Sequence, residues 1–112
     1  MALKNEYHCT FELTLDLIAG KWKGMILWKL NQYGVLRNAE LLREIPQITQ
    51  KMLTQQLREL ENDGLVQRKI YQQIPPKVEY SLSKCAKLLT PVLDAMQSWG
   101  EEYAKNHNIK VI

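Results

Sequence analysis

The chain has 112 residues, a formal net charge of +3, and 46% hydrophobic and 24% charged residues, the balance of one soluble globular domain with a single modest core. No apolar run approaches the roughly 20 residues of a membrane span, and no signal-peptide pattern follows Met1, so a cytoplasmic location is expected and no membrane partner. Two cysteines, Cys9 and Cys85, are too few for a disulfide scaffold.

Residues 1–7 are short and polar and read as a loosely held arm. Across 9–17, Cys9, Phe11, Leu13, Leu15 and Leu17 alternate with Thr10, Glu12, Thr14 and Asp16, the period of a strand. Wound as a helix, the same segment puts Phe11, Leu15 and Ile18 on one face and Leu13 and Leu17 on an adjoining one. Residues 21–33 are clearer: Trp22, Met25, Ile26, Leu30 and Tyr33 recur at helical spacing, and these aromatics read as core. Gly34 ends that helix, and Val35-Leu36-Arg37 suits a short strand. Asn38 caps a short helix over 39–45 with Leu41, Leu42 and Ile45 inward, and Pro46-Gln47-Ile48 makes a turn.

The turn leads into a helix over about 49–63. Thr49 is its N-cap, Leu53, Leu57 and Leu60 form one apolar stripe, and Asp63-Gly64 stops it, since glycine takes the left-handed position without penalty. Lys51, Gln55 and Arg58 project from the opposite side, with Thr54 near its edge. A wing over about 66–82 follows: β-prone runs at 66–72 and 78–82 joined through Ile74-Pro75-Pro76-Lys77, whose prolines stiffen the tip and leave Lys77 near its end. Lys51 and Arg58 stand in a stretch, 49–58, that holds no acid, the acids Glu59, Glu61 and Asp63 all coming after it, and Arg68, Lys69 and Lys77 stand in an acid-free stretch from 64 to 78. Local basic clusters of this kind attract phosphate whatever the global balance. A short helix, turn, basic-faced helix and basic-tipped hairpin together have the plan of a winged helix-turn-helix, mostly α with a small β-hairpin.

Ser83 caps the last segment, 83–106. Cys85, Leu88, Leu89, Val92, Met96, Trp99 and Tyr103 form an apolar seam, and Pro91 is expected to kink the helix or restart it with Thr90 as cap. This seam lies outside a minimal winged helix and needs a partner. The expected one is the first helix of a second subunit, giving a homodimer joined through segments 9–19 and 83–106, with Phe11, Leu15, Leu93, Met96, Trp99 and Tyr103 in the interface. Packing within one chain is the alternative. Residues 105–112 read as a frayed tail.

Gly20-Lys21-Trp22, the run from Lys51 to Glu61, Asp63-Gly64-Leu65-Val66 and Pro75-Pro76-Lys77-Val78-Glu79-Tyr80-Ser81-Leu82 resemble the HxlR-type family of bacterial and archaeal transcription regulators, relatives of the MarR-type winged-helix proteins. The matches keep their order across roughly residues 9 to 100. The resemblance implies a helix at 9–17, with Thr10 as N-cap and Gly20 as stop, and a homodimer that binds double-stranded operator DNA. Some members sense oxidants or electrophiles through an N-terminal cysteine, the position Cys9 occupies, although the family commonly has proline next and this chain has Thr10.

Catalysis is not expected. The chain has no Gly-rich phosphate loop and no nucleophile elbow, and its only histidines are His8 and His107. His8-Cys9 lacks the companions a zinc site requires, so no metal or cofactor is expected. Cys9 has two readings: a reactive thiol, because free amides at a helix start favour a thiolate, or a small buried apolar residue. Cys85, on the inward seam, reads as packing. For the main reading, Lys51, Thr54, Gln55 and Arg58 face the major groove, with Thr49 and Gln50 at the helix start. Arg68 and Lys69 clamp the backbone, and Lys77 meets phosphate or the minor groove. A winged-helix protein–protein module without DNA binding is the alternative. It would leave the face of Lys51, Gln55 and Arg58 apolar or acidic, and that face is polar and basic.

Overall fold

Thr49 Oγ1 accepts a hydrogen bond from the Met52 amide at 3.1 Å, satisfying one of the free donors at the start of a helix. That helix, α4 (Gln50–Asn62), buries Leu53, Leu57 and Leu60. Gly64 takes φ 78°, and the Leu65 amide reaches back to the Leu60 carbonyl at 2.9 Å, closing the helix as glycine-terminated helices do. The computed structural model, which describes residues 3–112, has as its other helices α1 (Thr10–Ile18), α2 (Lys23–Tyr33), α3 (Asn38–Glu44) and α5 (Thr90–Asn106). The strands are β1 (Val35–Leu36), β2 (Val66–Tyr71) and β3 (Lys77–Leu82).

The sheet is antiparallel in the order β1-β3-β2. Its hairpin ladder runs from Val66 opposite Leu82 to Tyr71 opposite Lys77, and β1 adds Val35 opposite Ser81. Both wing strands turn inward only at their base, where Leu65, Val66 and Leu82 join the core. That core is otherwise helical: Ile26, Leu27 and Leu30 of α2, Leu41 and Ile45 of the α3 region, and the α4 stripe. The result is a winged helix-turn-helix, mostly α with a small antiparallel sheet.

Alternation misreads the first element. Residues 10–18 are helical, with Cys9 at the N-cap instead of Thr10, and with Ala19 at the C-cap. As a helix the segment satisfies its own backbone groups, whereas a strand needs a free sheet edge beside it. Of the arm expected to be loose, residues 1–2 lie outside the described residues, and the rest is tied to α1 through Lys4 and Tyr7. Lys4 Nζ pairs with Glu12 Oε1 at 2.7 Å, the Lys4 amide donates to Tyr7 Oη at 3.1 Å, and the Tyr7 hydroxyl donates to Asp16 Oδ2 at 2.6 Å. Tyr33 is exposed and donates to Glu44 Oε1 at 3.1 Å, so it is not a core aromatic.

The last segment departs furthest from expectation. Ser83 Oγ accepts from the Ala86 amide at 3.1 Å, and a 3-10 turn at Ala86–Leu89 precedes α5, which restarts at Thr90 with Pro91 in its first turn. The Thr90 hydroxyl donates to Asn31 Oδ1 at 2.8 Å and is not the cap. A 3-10 turn has 3.0 residues per turn against 3.6 for an α-helix, so it shifts the phase of everything after it. Ala86 and Leu93 point inward, while Cys85 and Leu88 are exposed, correcting the inward placement of Cys85. Leu93 is core of its own chain, 3% exposed, and leaves the set expected at a subunit interface. The helix continues through Asn106, and the Ile109 amide returns to the Ala104 carbonyl at 2.9 Å, so the expected frayed tail begins later than 105, with residues 109–112 exposed and outside any helix or strand.

Candidate nucleic-acid interface

The buried stripe of α4 dictates what the helix shows outside. With Leu53, Leu57 and Leu60 turned into the core, Lys51, Gln55 and Arg58 are exposed and Thr54 is half-buried at the edge. These four side chains line one open groove of about 870 Å³ together with Leu3 of the arm and Glu59, Asn62 and Asp63. Among the described residues, Lys51 and Arg58 make no ion pair. Thr49 and Gln50 sit at the helix start: Thr49 spends its hydroxyl on the cap, and Gln50 Nε2 donates to Thr54 Oγ1 at 3.0 Å.

The wing lies beside this face. Arg58, Thr54 and Glu61 of α4 share a smaller cleft with Arg68 and Tyr80 of the sheet, so Arg58 stands at the junction of helix and wing. Arg68 Nε is 3.5 Å from Glu61 Oε2. At the far end of the ladder the Tyr71 ring lies between two cations, Lys69 Nζ at 4.8 Å and Lys77 Nζ at 4.5 Å from its centroid. The Tyr71 hydroxyl donates to Glu79 Oε1 at 2.8 Å, and Lys77 Nζ is 3.5 Å from Glu79 Oε2. The hydrogen bond from Tyr71, helped by the Lys77 charge, holds the Glu79 carboxyl below its ordinary value.

The groups singled out in sequence thus fall on two adjoining surfaces, the α4 face and the wing. Three features were not legible there. Glu61 pairs with Arg68 across the junction of α4 and the wing, and Glu79 pairs with Lys77 two residues away on β3, just past the acid-free stretch. The extreme tip of the wing is Ile74, fully exposed, ahead of Lys77, and a search for charge passes over it. Lys23 is buried at the start of α2 with its ammonium 3.3 Å from Glu59 Oε1, although lysine normally signals surface.

A second surface lies apart from these. Phe11 and Leu15 of α1, Met25 of α2, and Val92, Met96, Trp99 and Tyr103 of α5 are exposed apolar side chains, and α1, α2 and α5 enclose a mostly apolar groove of about 670 Å³. Trp99 stacks on Tyr103 at 5.1 Å and Tyr103 on His107 at 3.9 Å between ring centroids. Cys9 is exposed at the α1 N-cap, and its side chain makes no capping hydrogen bond. No helix among the described residues is long and apolar enough to cross a membrane.

The profile of the HxlR-like helix-turn-helix family matches residues 17–108. The chain is 52% identical over 100 residues to the HTH-type transcriptional regulator YkvN of Bacillus subtilis (strain 168), covering 89% of this chain and 84% of that protein. It is similar in structure to the redox regulator HypR in its reduced form, with a TM-score of 0.84 at 46% identity over 91% of this chain and 100% of that one. The oxidized form of HypR gives a TM-score of 0.80 at 51% identity over 84% of this chain and 96% of that one. A MarR-family transcriptional regulator from Enterococcus faecalis V583 aligns with a TM-score of 0.77 at 39% identity over 96% of both chains. The relatives are transcription regulators and not enzymes, and with its helix-turn-helix and wing in the same arrangement this chain belongs to the HxlR-like family of transcription regulators.

Proposed function

We propose that the protein is a homodimer that binds double-stranded DNA in a sequence-specific way. The observation that carries this is the α4 face: a buried leucine stripe forces Lys51, Gln55 and Arg58 outward together, with Thr54 at their edge and the wing alongside. In the major groove, Arg58 or Lys51 suits guanine, Gln55 suits adenine, and Thr54 suits a phosphate or a thymine methyl. Arg68, Lys69 and Lys77 act on the backbone, exchanging their contacts with Glu61, Glu79 and Tyr71 for phosphate. The exposed apolar row on α1 and α5, Phe11, Leu15, Met96, Trp99 and Tyr103, supports a second copy as the partner that covers it. The test selects duplexes from a random pool and measures binding by fluorescence anisotropy. A two-fold-symmetric site is expected, with half-site centres about 10 bp apart or a multiple of it. Equal affinity for selected and random duplexes at physiological salt would refute sequence reading.

Within that reading, Cys9 is the candidate oxidant sensor. Its exposure at the start of α1 and the existence of reduced and oxidized forms of the related HypR support it. Diamide supplies the chemistry of the test: one thiolate adds to the azo nitrogen, a second thiol displaces the hydrazide, and the azo group leaves as a hydrazine carrying two electrons and two protons. The disulfide left behind changes the spacing of two DNA-reading helices that must engage together. Operator release on diamide, reversed by a thiol reductant and lost in Cys9→Ser, is expected. An identical response in wild type and Cys9→Ser sinks the sensor role. Because Cys85 is also exposed, Cys85→Ser is the companion control.

A further inference from the structure

Lys23 is 5% exposed at the first position of α2. Its side chain is withdrawn from water beside a helix start. Its partner is Glu59 on α4, Nζ to Oε1 at 3.3 Å, and Gln56 Nε2 donates to the other carboxylate oxygen at 3.4 Å. A pair of this kind, with the lysine enclosed and the glutamate 24% exposed, adds little net stability, because desolvation of the lysine offsets the attraction between the charges. What it does supply is direction. Apart from Lys23, the residues that α2 and α4 bury are isoleucine and leucine; such apolar contact decides which face of α4 turns inward, but it is non-directional and holds the finer rotation less firmly than a charged hydrogen bond does.

Rotation of α4 is what DNA reading depends on. Glu59 follows Arg58 directly and lies one turn beyond Gln55. A roll of about 20° moves a side-chain end lying about 8 Å from the helix axis by roughly 3 Å, the whole length of a hydrogen bond. We propose that Lys23 is a positioning residue for sequence reading: through Glu59 it fixes the rotational setting of α4, so that Lys51, Gln55 and Arg58 meet base edges in register. The inference rests on the proposed DNA binding by α4. Lys23 itself is buried and reaches no base or phosphate.

The experiment compares full-length wild type, Lys23→Met, Glu59→Gln and the double variant. It reads the thermal midpoint and the ratio of affinities for selected and random duplexes. Met preserves the aliphatic stem and removes the charge. Lys23→Met is expected to fold and to bind random duplex within about twofold of wild type, since no phosphate contact is lost. Its affinity for the selected duplex should fall about tenfold, the loss of a good base contact. Glu59→Gln should lower the ratio as well, and the double variant should fall no further than the worse single one, because the Lys23–Glu59 coupling is already absent from each. An unchanged ratio in folded Lys23→Met overturns the proposal, and so does an equal fall for both duplexes. Additive losses in the double variant overturn it too. If Lys23→Met does not fold, Glu59→Gln decides: an unchanged ratio refutes the strut. A wild type that does not discriminate defeats the DNA reading and this inference with it. A wild type that discriminates, beside a Lys23→Met that does so equally, defeats the strut alone.

Discussion

Arg58 and Lys77 carry the same charge in different surroundings, and the proposed DNA binding gives them different work. Arg58 is exposed on α4 at the junction with the wing, where a guanidinium can meet a base edge in two hydrogen bonds. Arg58→Ala should cost about 1–3 kcal/mol on the selected duplex and relax the preference at one base position. Lys77 ends the hairpin ladder, held by Glu79 and the Tyr71 ring. Lys77→Ala should weaken binding to every sequence alike and reduce the slope of log affinity against log salt by about 1. Anisotropy titrations at several salt concentrations separate the two outcomes. The exposure of Lys51 and Arg58 was legible in sequence, because the leucine period of α4 fixes which of its residues remain outside. The partners of the other cations were not. The pairing of Arg68 with Glu61 is set by how the wing folds onto α4, and that of Lys23 with Glu59 joins residues 36 apart.

Elements differ in how plainly their residues declare them. Around α4, cap, stripe and glycine stop all agree, and the helix forms where they say. Thr49→Ala should remove about 1 kcal/mol of stability, measured as a lower thermal midpoint, by leaving the Met52 amide without its acceptor. In α1, local alternation pointed to a strand and only the family resemblance pointed to a helix. The α5 segment was misphased because one helical period was carried across Ala86–Leu89, where the chain winds more tightly. The wing has its own acid sensitivity. The Glu79 carboxyl is held below its ordinary value, so its stabilising contribution is complete above the ordinary carboxylate range and is lost as pH falls through the lowered value. Amide protection in the wing strands, taken as the exchange rate relative to the intrinsic rate at the same pH, should fall in acid, and Glu79→Gln should remove that step.

At the scale of the molecule, the winged helix was readable because its parts are short and contiguous in sequence. The partition of apolar surface between core and solvent was not, since Leu93 and Met96 sit one turn apart on the same helix with opposite fates. If the exposed row on α1 and α5 is covered by a second copy, Trp99→Glu should yield a monomer in light scattering at micromolar concentration, with weaker duplex binding because two half-sites are no longer read together. An unchanged dimer would place the contact elsewhere. The base of the wing has a different consequence. Ser83 donates its hydroxyl to the Gly64 carbonyl at 2.7 Å and its amide to the Leu65 carbonyl at 2.9 Å, fastening the end of the hairpin to the exit of α4. Helix and wing are therefore the two jaws of a fixed caliper. A duplex that engages both must present a groove and a neighbouring backbone at the separation the jaws already have. A site with the right bases but the wrong groove width would have to be bent to fit, and the energy of bending it would count against it at positions the protein never touches.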